Sequence, residues 1–144
     1  MYQDSTIPFN AQEHLSALPS FCFPSNLQSL ELDEYSSIGY TYKALGSALY
    51  CSSRALNPSS LTQYERDEMT RTSSHWSGQL FKRIITELTR EAGDADTNCA
   101  VAGALLGCRI GYERLPKDWL AELKHADYLL QLADEFCDLV IGSD

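Results

Sequence analysis

The sequence predicts an all-α protein built from a single domain over residues 1–144. Three observations support this prediction. Apolar residues recur at intervals of three and four in several segments, and no useful run alternates between apolar and polar positions as a half-buried strand would. The length suits one domain, and a hydrophobic content of 44% is sufficient for a packed core.

The N-terminal segment contains several prolines and precedes the first long helix. Residues 1–26 contain Pro8, Pro19 and Pro24, so we expect irregular or short helical structure there. A longer helix is predicted from Ser36, with Ser36 or Ser37 as its N-cap and the Asn57–Pro58 pair as its end. One apolar stripe at helical spacing defines its buried face: Ile38, Tyr42, Leu45 and Leu49.

Residues 57–74 are polar, with many Ser and Thr, and are predicted to form a surface loop. An amphipathic helix follows, and Gly93 is expected to end it. Its apolar face consists of Phe81, Ile84, Ile85 and Leu88.

The helix predicted after Thr97 is apolar nearly all round, which is typical of a buried central helix. Small residues at spacings of three and four predict dense packing along one face: Ala100, Gly103, Ala104, Gly107 and Gly111. Each glycine costs about 1 kcal/mol in a helix interior, so these positions require a packing reason.

Two helices complete the chain. Leu115–Pro116 opens a short helix with Trp119 as an apolar anchor. The last helix is expected from about Asp127 to Ile141, burying Tyr128, Leu129, Leu132, Phe136 and Leu139. Its acidic patch of Asp134, Glu135 and Asp138 is interpreted as a solvated face.

Charge and cysteine content narrow the functional class. A net charge of −9 argues against nucleic acid and anionic membrane surfaces as partners. Five cysteines without a Cys-x-x-Cys pair favour reduced, buried thiols in a cytoplasmic or nuclear protein. The N-terminus shows no basic region followed by an apolar core, so no secretory signal is expected, and the apolar run 99–108 is too short to span a bilayer.

Two carboxylates precede the apolar helix. Asp94 and Asp96 are two positions apart, and in an extended loop such side chains point to the same side. Convergent carboxylates repel unless a cation lies between them, and Mg²⁺ or Ca²⁺ binds oxygen ligands of this kind. Thr97 adds a hydroxyl oxygen, and Thr97 or Asn98 could cap the helix that follows.

This segment is compatible with other interpretations. An Asp-x-Asp pair is most often a solvated turn. A calcium-binding EF-hand is excluded, because its sixth and twelfth positions would be Cys99 and Leu105 instead of Gly and Glu. The histidines (His14, His75 and His125) form no metal-binding pattern, and there is no nucleophilic serine motif or phosphate-binding loop.

The full string around these carboxylates resembles the C-terminal signature of the ADP-ribosylglycohydrolase family, which includes the dinitrogenase reductase-activating glycohydrolases. The matching segments are EAGDADTN (91–98), AVAGALLG (100–107), LPKDWL (115–120), IGYTYKALG (38–46) and FKRIITEL (81–88). The resemblance covers residues 27–125 apart from 57–74, and Gly-Asp-x-Asp-Thr-Asn is its specific part. Ala92 departs from it, because family members often carry a second glycine there.

The resemblance implies an orthogonal multi-helix fold with two Mg²⁺ ions in its active cleft. It implies hydrolysis of the anomeric bond between ADP-ribose and a protein side chain or other acceptor. Asp94, Asp96 and Thr97 would be metal ligands. Vicinal ribose hydroxyls can chelate a divalent ion, which would orient the sugar and polarise water.

One departure from the family is an absence. Its N-terminal half supplies further metal ligands, a Thr-Asp-Asp triplet and a Glu, and this sequence contains no such triplet. The chain is therefore interpreted as the C-terminal part of the domain. We expect weak Mg²⁺ binding, little turnover, and self-association through apolar surface that the missing half would cover.

Two other hypotheses stay open. The chain could be a non-catalytic remnant that acts as a helical binding or interaction module, or a plain helical scaffold. The intact Asp-x-Asp-Thr favours the enzyme over the scaffold. The sequence assigns neither a catalytic base nor the ADP-ribosyl linkage that is cleaved.

Overall fold

The protein is described here by a computed structural model, which covers residues 10–57, 59, 61–71 and 76–142. Within these ranges the regular structure is helical and contains no strand, which confirms the all-α prediction. Seven α-helices occur in the described ranges: α1 (Ala11–Cys22), α2 (Thr41–Leu56), α3 (Gln63–Arg71), α4 (Trp76–Arg90), α5 (Ala95–Ile110), α6 (Lys117–Glu122) and α7 (Ala126–Ile141). Short 3₁₀ turns occupy Gln28–Leu30, Tyr35–Ser37 and Tyr112–Arg114. Residues 1–9, Pro58 and His75, for which the sequence made predictions, lie outside the described ranges.

Helix α1 lies in the segment predicted to be irregular or short helical. It spans 12 residues, and the Asn10 side chain caps it by accepting from the Glu13 backbone N–H at 3.3 Å. Pro19 lies inside the helix, and no residue of α1 is fully buried. Phe21, near its end, packs against the core and so joins α1 to α2.

The centre of the molecule is the packing of α2 against α5 and α4. Most of the buried residues of helix α2 are small, namely Ala44, Gly46, Ser47, Ala48 and Cys51. The larger predicted stripe is only half-buried, and Ile38 precedes the helix with 47% of its surface exposed. That prediction is wrong because close approach of two helices selects small side chains at the contact and displaces large ones to its sides.

The predicted serine caps of α2 are also wrong. Ser36 and Ser37 belong to a 3₁₀ turn, where the Glu34 carboxylate accepts from the Ser36 backbone N–H at 3.2 Å. Gly39 then adopts φ +76°, so the chain turns before α2 can begin. Helix α2 starts at Thr41 without a side-chain cap and ends at Leu56, with Asn57 as its C-cap.

The region predicted as a loop over 57–74 contains α3. Thr62 and Glu65 form a capping box at its start: the Glu65 carboxylate accepts from the Thr62 backbone N–H at 2.6 Å, and the Glu65 N–H donates to the Thr62 hydroxyl at 3.2 Å. Glu65 is 2% exposed and also accepts from Arg54 of α2 at 2.8 Å. These bonds explain why a polar segment forms a helix that is attached to the core.

Helix α4 confirms the predicted amphipathic helix. Ile84, Ile85 and Leu88 are buried together with Leu80, and Phe81 is half-buried against the same core. The helix ends at Arg90, and the chain turns at Gly93, three residues later, as predicted.

A smaller part of helix α5 is buried than the sequence predicts. Its buried residues are Asn98, Ala102 and Leu106, one per turn, whereas Val101 and Leu105 are 42% and 39% exposed. The predicted close-packed glycine face is also wrong for the described residues: a methyl group on Gly103 would lie 3.9 Å from its nearest neighbours, and one on Gly107 or Gly111 would meet nothing within 4 Å. Glycine is instead required where backbones meet, as at Gly46, whose added methyl would lie 2.7 Å from the Phe21 carbonyl oxygen.

The last two helices occur where the sequence predicts them. Helix α6 follows Pro116, and its Trp119 ring meets Phe81 edge-on at 6.3 Å between centroids. Helix α7 buries no residue, so the predicted burial of Tyr128, Leu129, Leu132, Phe136 and Leu139 is wrong. Their period is helical, but no described element packs extensively on this helix. Asp134, Glu135 and Asp138 are exposed, as predicted.

The cysteines are free in the structure. Cys51 is buried, whereas Cys108 and Cys137 are exposed, so the prediction of uniformly buried thiols is wrong. None of the helices in the described part of the chain has the length and apolar character needed to cross a membrane.

Candidate metal centre

The predicted acidic pair lies at the start of α5. Asp94 is the N-cap, with its carbonyl oxygen accepting from the Asn98 backbone N–H at 3.0 Å, and Asp96 lies in the first helical turn. The sequence placed Asp94, Asp96 and Thr97 in an extended loop and assigned the cap to Thr97 or Asn98. Both expectations are wrong, because the helix already begins at Ala95.

The chain reaches this position through a tight reversal. Ala92 and Gly93 have φ of +60° and +66°, a left-handed conformation that glycine adopts without strain and alanine does not. A methyl group on Gly93 would lie 1.9 Å from the Leu32 carbonyl oxygen. Glycine is therefore needed at position 93 both for its backbone angles and for its close contact.

A second chain segment, residues 28–39, runs beside the reversal. The Gln28 side-chain amide donates to the Glu91 carboxylate at 2.7 Å, and Leu32 packs onto Gly93. Farther along, a methyl group on Gly39 would be 3.4 Å from Asp94 Oδ2. The sequence did not connect this segment to the site, although Gly39 and Gly93 were signals for close backbone approach.

The two carboxyl groups converge. The pKa of Asp96 is lowered, first by the Thr97 backbone N–H, which donates to its carboxylate, and next by a hydrogen bond with the Asp94 carboxyl group. The first turn of a helix favours negative charge, which acts in the same direction. Asp94 is half-buried, whereas Asp96 and Thr97 are exposed. The structure thus brings the predicted acidic residues together at a surface that solvent and ligands can reach.

Two ionised carboxylates placed close together repel each other. A divalent cation between them would offset that repulsion. The available donors are oxygens, the type that Mg²⁺ prefers, and the Thr97 hydroxyl follows on the same turn. The residues present therefore fit Mg²⁺ in their chemistry.

The structure adds no third acidic ligand to the pair. Nowhere in the described ranges do three or more His, Cys, Asp or Glu side chains form a group that could hold a metal. Two carboxylates and one hydroxyl supply half of an octahedral Mg²⁺ shell, so water or a bound ligand would have to complete it.

An aromatic cluster begins one residue after Gly39, whose backbone lies near Asp94. Tyr40 follows Gly39 directly, and its ring lies 5.1 Å from that of Tyr42 and 5.6 Å from that of Phe21, between centroids. The Tyr40 hydroxyl is hydrogen bonded to His14 Nδ1 at 2.7 Å, so this histidine is satisfied within the fold. Burial raises the pKa of Tyr40.

Comparison with known proteins identifies related sequences. The sequence model of the ADP-ribosylglycohydrolase family matches residues 9–144. The ADP-ribosyl-[dinitrogen reductase] glycohydrolase of Rhodospirillum rubrum is 36% identical over 62 residues, which cover 37% of this chain and 21% of that protein. An uncharacterized protein of Archaeoglobus fulgidus is 32% identical over 66 residues, covering 46% of this chain and 21% of its own length. No solved structure matches the chain.

The match to both relatives is partial. It spans about a fifth of the length of each protein. The family match, in contrast, extends over nearly the whole chain and includes α1 to α7.

Proposed function

This chain belongs to the ADP-ribosylglycohydrolase family, and from that premise we propose that it acts as a Mg²⁺-dependent hydrolase that removes ADP-ribose from a modified protein or another ADP-ribosyl conjugate. The observation that carries the proposal is the pair of neighbouring carboxyl groups, Asp94 and Asp96, at the start of α5. The named relative from Rhodospirillum rubrum supports the type of substrate.

Asp94, Asp96 and Thr97 would hold the metal through oxygen atoms. Bound Mg²⁺ would supply the chelation of ribose hydroxyls and the polarisation of water at the anomeric carbon. The fold sets the backbone positions of the two residues, because Asp94 is placed by the turn at Gly93 and Asp96 by the first turn of α5. A site that orients a sugar in advance lowers the entropic part of the barrier to attack.

The aromatic cluster of His14, Phe21, Tyr40 and Tyr42 supports a nucleotide substrate. Flat rings stack on aromatic side chains and gain about 1–3 kcal/mol per base. Because Gly39 contacts Asp94, a ligand whose ribose lay at the acidic pair could reach these half-buried rings with its adenine. In this arrangement the acidic pair and its cation would bind the ribose, and the aromatic rings would stack on the adenine.

A second function is supported by the exposed apolar surface of α7. Phe136 and Leu139 are 64% and 83% exposed, which is unusual for large apolar side chains on one helix. A non-catalytic role as a helical binding or interaction module would use such a surface. The free cysteines are consistent with a cytoplasmic or nuclear location for either function.

Release of ADP-ribose from an ADP-ribosylated protein tests the proposal. We expect slow release that needs Mg²⁺, stops with a chelator, and falls at least tenfold in Asp94→Asn and Asp96→Asn. Asp134→Asn, an exposed carboxylate on α7, is the matched control and should keep the rate. Release that continues without divalent ions, or at an equal rate in the two site variants, would refute the hydrolase. Substrate binding without release would favour the interaction module.

A further inference from the structure

A buried lysine contacts the segment 28–39 that runs beside the turn leading into the acidic pair. Lys43, in the first turn of α2, is only 5% exposed, and its ammonium group donates to the backbone carbonyl of Glu31. Among the described residues this carbonyl is the one hydrogen-bond acceptor of the ammonium group. Buried charges are usually paired with a carboxylate, so an ammonium group that binds the main chain instead points to a role in holding the backbone.

The Glu31 carbonyl oxygen also belongs to a tight turn. It also accepts from the Glu34 backbone N–H at 3.0 Å, which closes the turn 31–34. Glu31 has φ +48°, a left-handed conformation that a residue with a side chain rarely adopts. The pKa of Glu34 is lowered first by hydrogen bonds from Ser36 and also by Lys43, so the lysine charge acts on this turn.

The turn 31–34 is in direct contact with the tight reversal at Ala92 and Gly93, which leads into the acidic pair. Leu32 is 3% exposed, and its carbonyl oxygen occupies the space that a side chain at position 93 would need. The next residue after Gly93 is Asp94, the N-cap of α5. A shift of the turn would therefore be passed through Gly93 to the start of α5.

We infer that Lys43 is a positioning residue for the acidic pair: its buried ammonium group holds the turn 31–34 against Gly93 and thereby fixes Asp94 and Asp96 for a divalent cation. This inference rests on the proposed function. The inference also predicts the direction in which cation affinity changes when the lysine is replaced. A nearby positive charge alone would weaken cation binding, so loss of the charge would strengthen it, whereas loss of a positioning contact weakens it.

Calorimetric titration of the full chain with Mg²⁺ tests the inference. We expect Lys43→Met, which keeps length and apolar contact but lacks the ammonium group, to weaken binding about tenfold, as outer-shell substitutions do. Lys43→Arg keeps a charged donor and should restore most of the affinity. Ser47→Ala, on the same helix, removes a buried hydroxyl without a partner in the described residues and should leave the affinity unchanged.

Amide hydrogen exchange without metal provides a second readout. Lys43→Met should increase exchange at the Asn98 and Glu34 amides, which donate to the Asp94 and Glu31 carbonyls, while the centre of α4 stays protected. Unchanged or tighter Mg²⁺ binding together with unchanged exchange at these amides would overturn the inference. If Lys43→Met does not fold, Lys43→Gln, which is neutral but keeps a polar end, takes its place in both measurements. A wild-type chain that does not bind Mg²⁺ would count against the proposed function, and the exchange comparison would then decide the role of Lys43 by itself.

Discussion

At the scale of single residues, Glu65 links stability to pH. Burial alone would raise its pKa, but hydrogen bonds from the Thr62 backbone and hydroxyl, and the charges of Arg54 and Arg83, lower it below its ordinary value of 4.5. The ionised form therefore stabilises the fold above pH 4.5. This stabilisation is lost as the pH falls through the folded-state pKa.

Glu65→Gln should lower the free energy of unfolding by about 3 kcal/mol at pH 7, because it leaves Arg54 with one fewer buried charge partner. Denaturant unfolding at pH 7 and pH 3 checks this, and the difference from the wild type should shrink at the lower pH. Asp67→Asn, at an exposed position of α3, is the control and should change stability by less than about 0.5 kcal/mol. If Glu65→Gln lowered the free energy of unfolding equally at both pH values, ionised Glu65 would not be the source of the pH dependence.

Glycine provides a second prediction at this scale. Gly93→Ala places a methyl group 1.9 Å from the Leu32 carbonyl at φ +66°, and should cost at least about 2 kcal/mol. Gly107→Ala, inside α5 with nothing within 4 Å, should stabilise by about 0.5–1 kcal/mol through helix propensity. Thermal unfolding of the two variants compares them directly, and a loss of stability in Gly107→Ala would show that this glycine has a packing role.

Local signals predicted much of what occurs at single positions. The Asp-x-Asp-Thr string identified the acidic pair, and Gly93 marked the end of α4. The Thr62–Glu65 capping box is also present in the sequence and indicates the start of α3, whereas the polar composition around it favours a loop. The contact between Leu32 and Gly93 could not be predicted, because it joins segments about 60 residues apart in sequence.

At the scale of elements, the helical period of apolar residues predicted the positions of the helices well. It predicted less well which face of each helix is buried. Helices α4, α6 and α7 lie close to their predicted positions, since periodicity and helix-ending residues are local properties. Burial depends on what lies opposite. Helix α2 buries its small residues because it meets α5 closely, and α7 buries none because no described helix packs extensively against it.

The same contrast applies to α5. Its composition indicated burial on all sides, whereas the structure covers one line of residues and leaves Val101 and Leu105 exposed. The start of α5 is the part that the site requires, and Asn98, Ala102 and Leu106 attach it to the core. The acidic pair is therefore built on a helix end and not on a free loop, which would suit the proposed cation site.

At the scale of the whole molecule, the exposed face of α7 should lead to self-association. Leu132 and Phe136 are 42% and 64% exposed. The helix also carries four acidic residues and no basic one, namely Asp127, Asp134, Glu135 and Asp138. Because these charges repel between copies, association should strengthen as salt screens them.

Sedimentation velocity at low and high NaCl measures this effect. We expect larger species at high salt in the wild type and their loss in Leu132→Gln combined with Phe136→Gln, without loss of helical content, because neither residue is buried. Gln131→Ala, on the same helix, is the control and should associate like the wild type. A wild-type chain that is monomeric at every salt concentration would contradict the prediction and weaken the interaction-module alternative.

The central claim is that Asp94 and Asp96 together bind a divalent cation, and paramagnetic Mn²⁺ tests it most directly. In amide NMR spectra of the full chain, Mn²⁺ should first broaden the signals of residues 95–98, leave those of α7 unchanged, and be displaced by excess Mg²⁺. The effect should be absent in Asp94→Asn combined with Asp96→Asn. Broadening that begins instead at the Asp134, Glu135 and Asp138 patch, or that persists at 95–98 in the double variant, would contradict the claim.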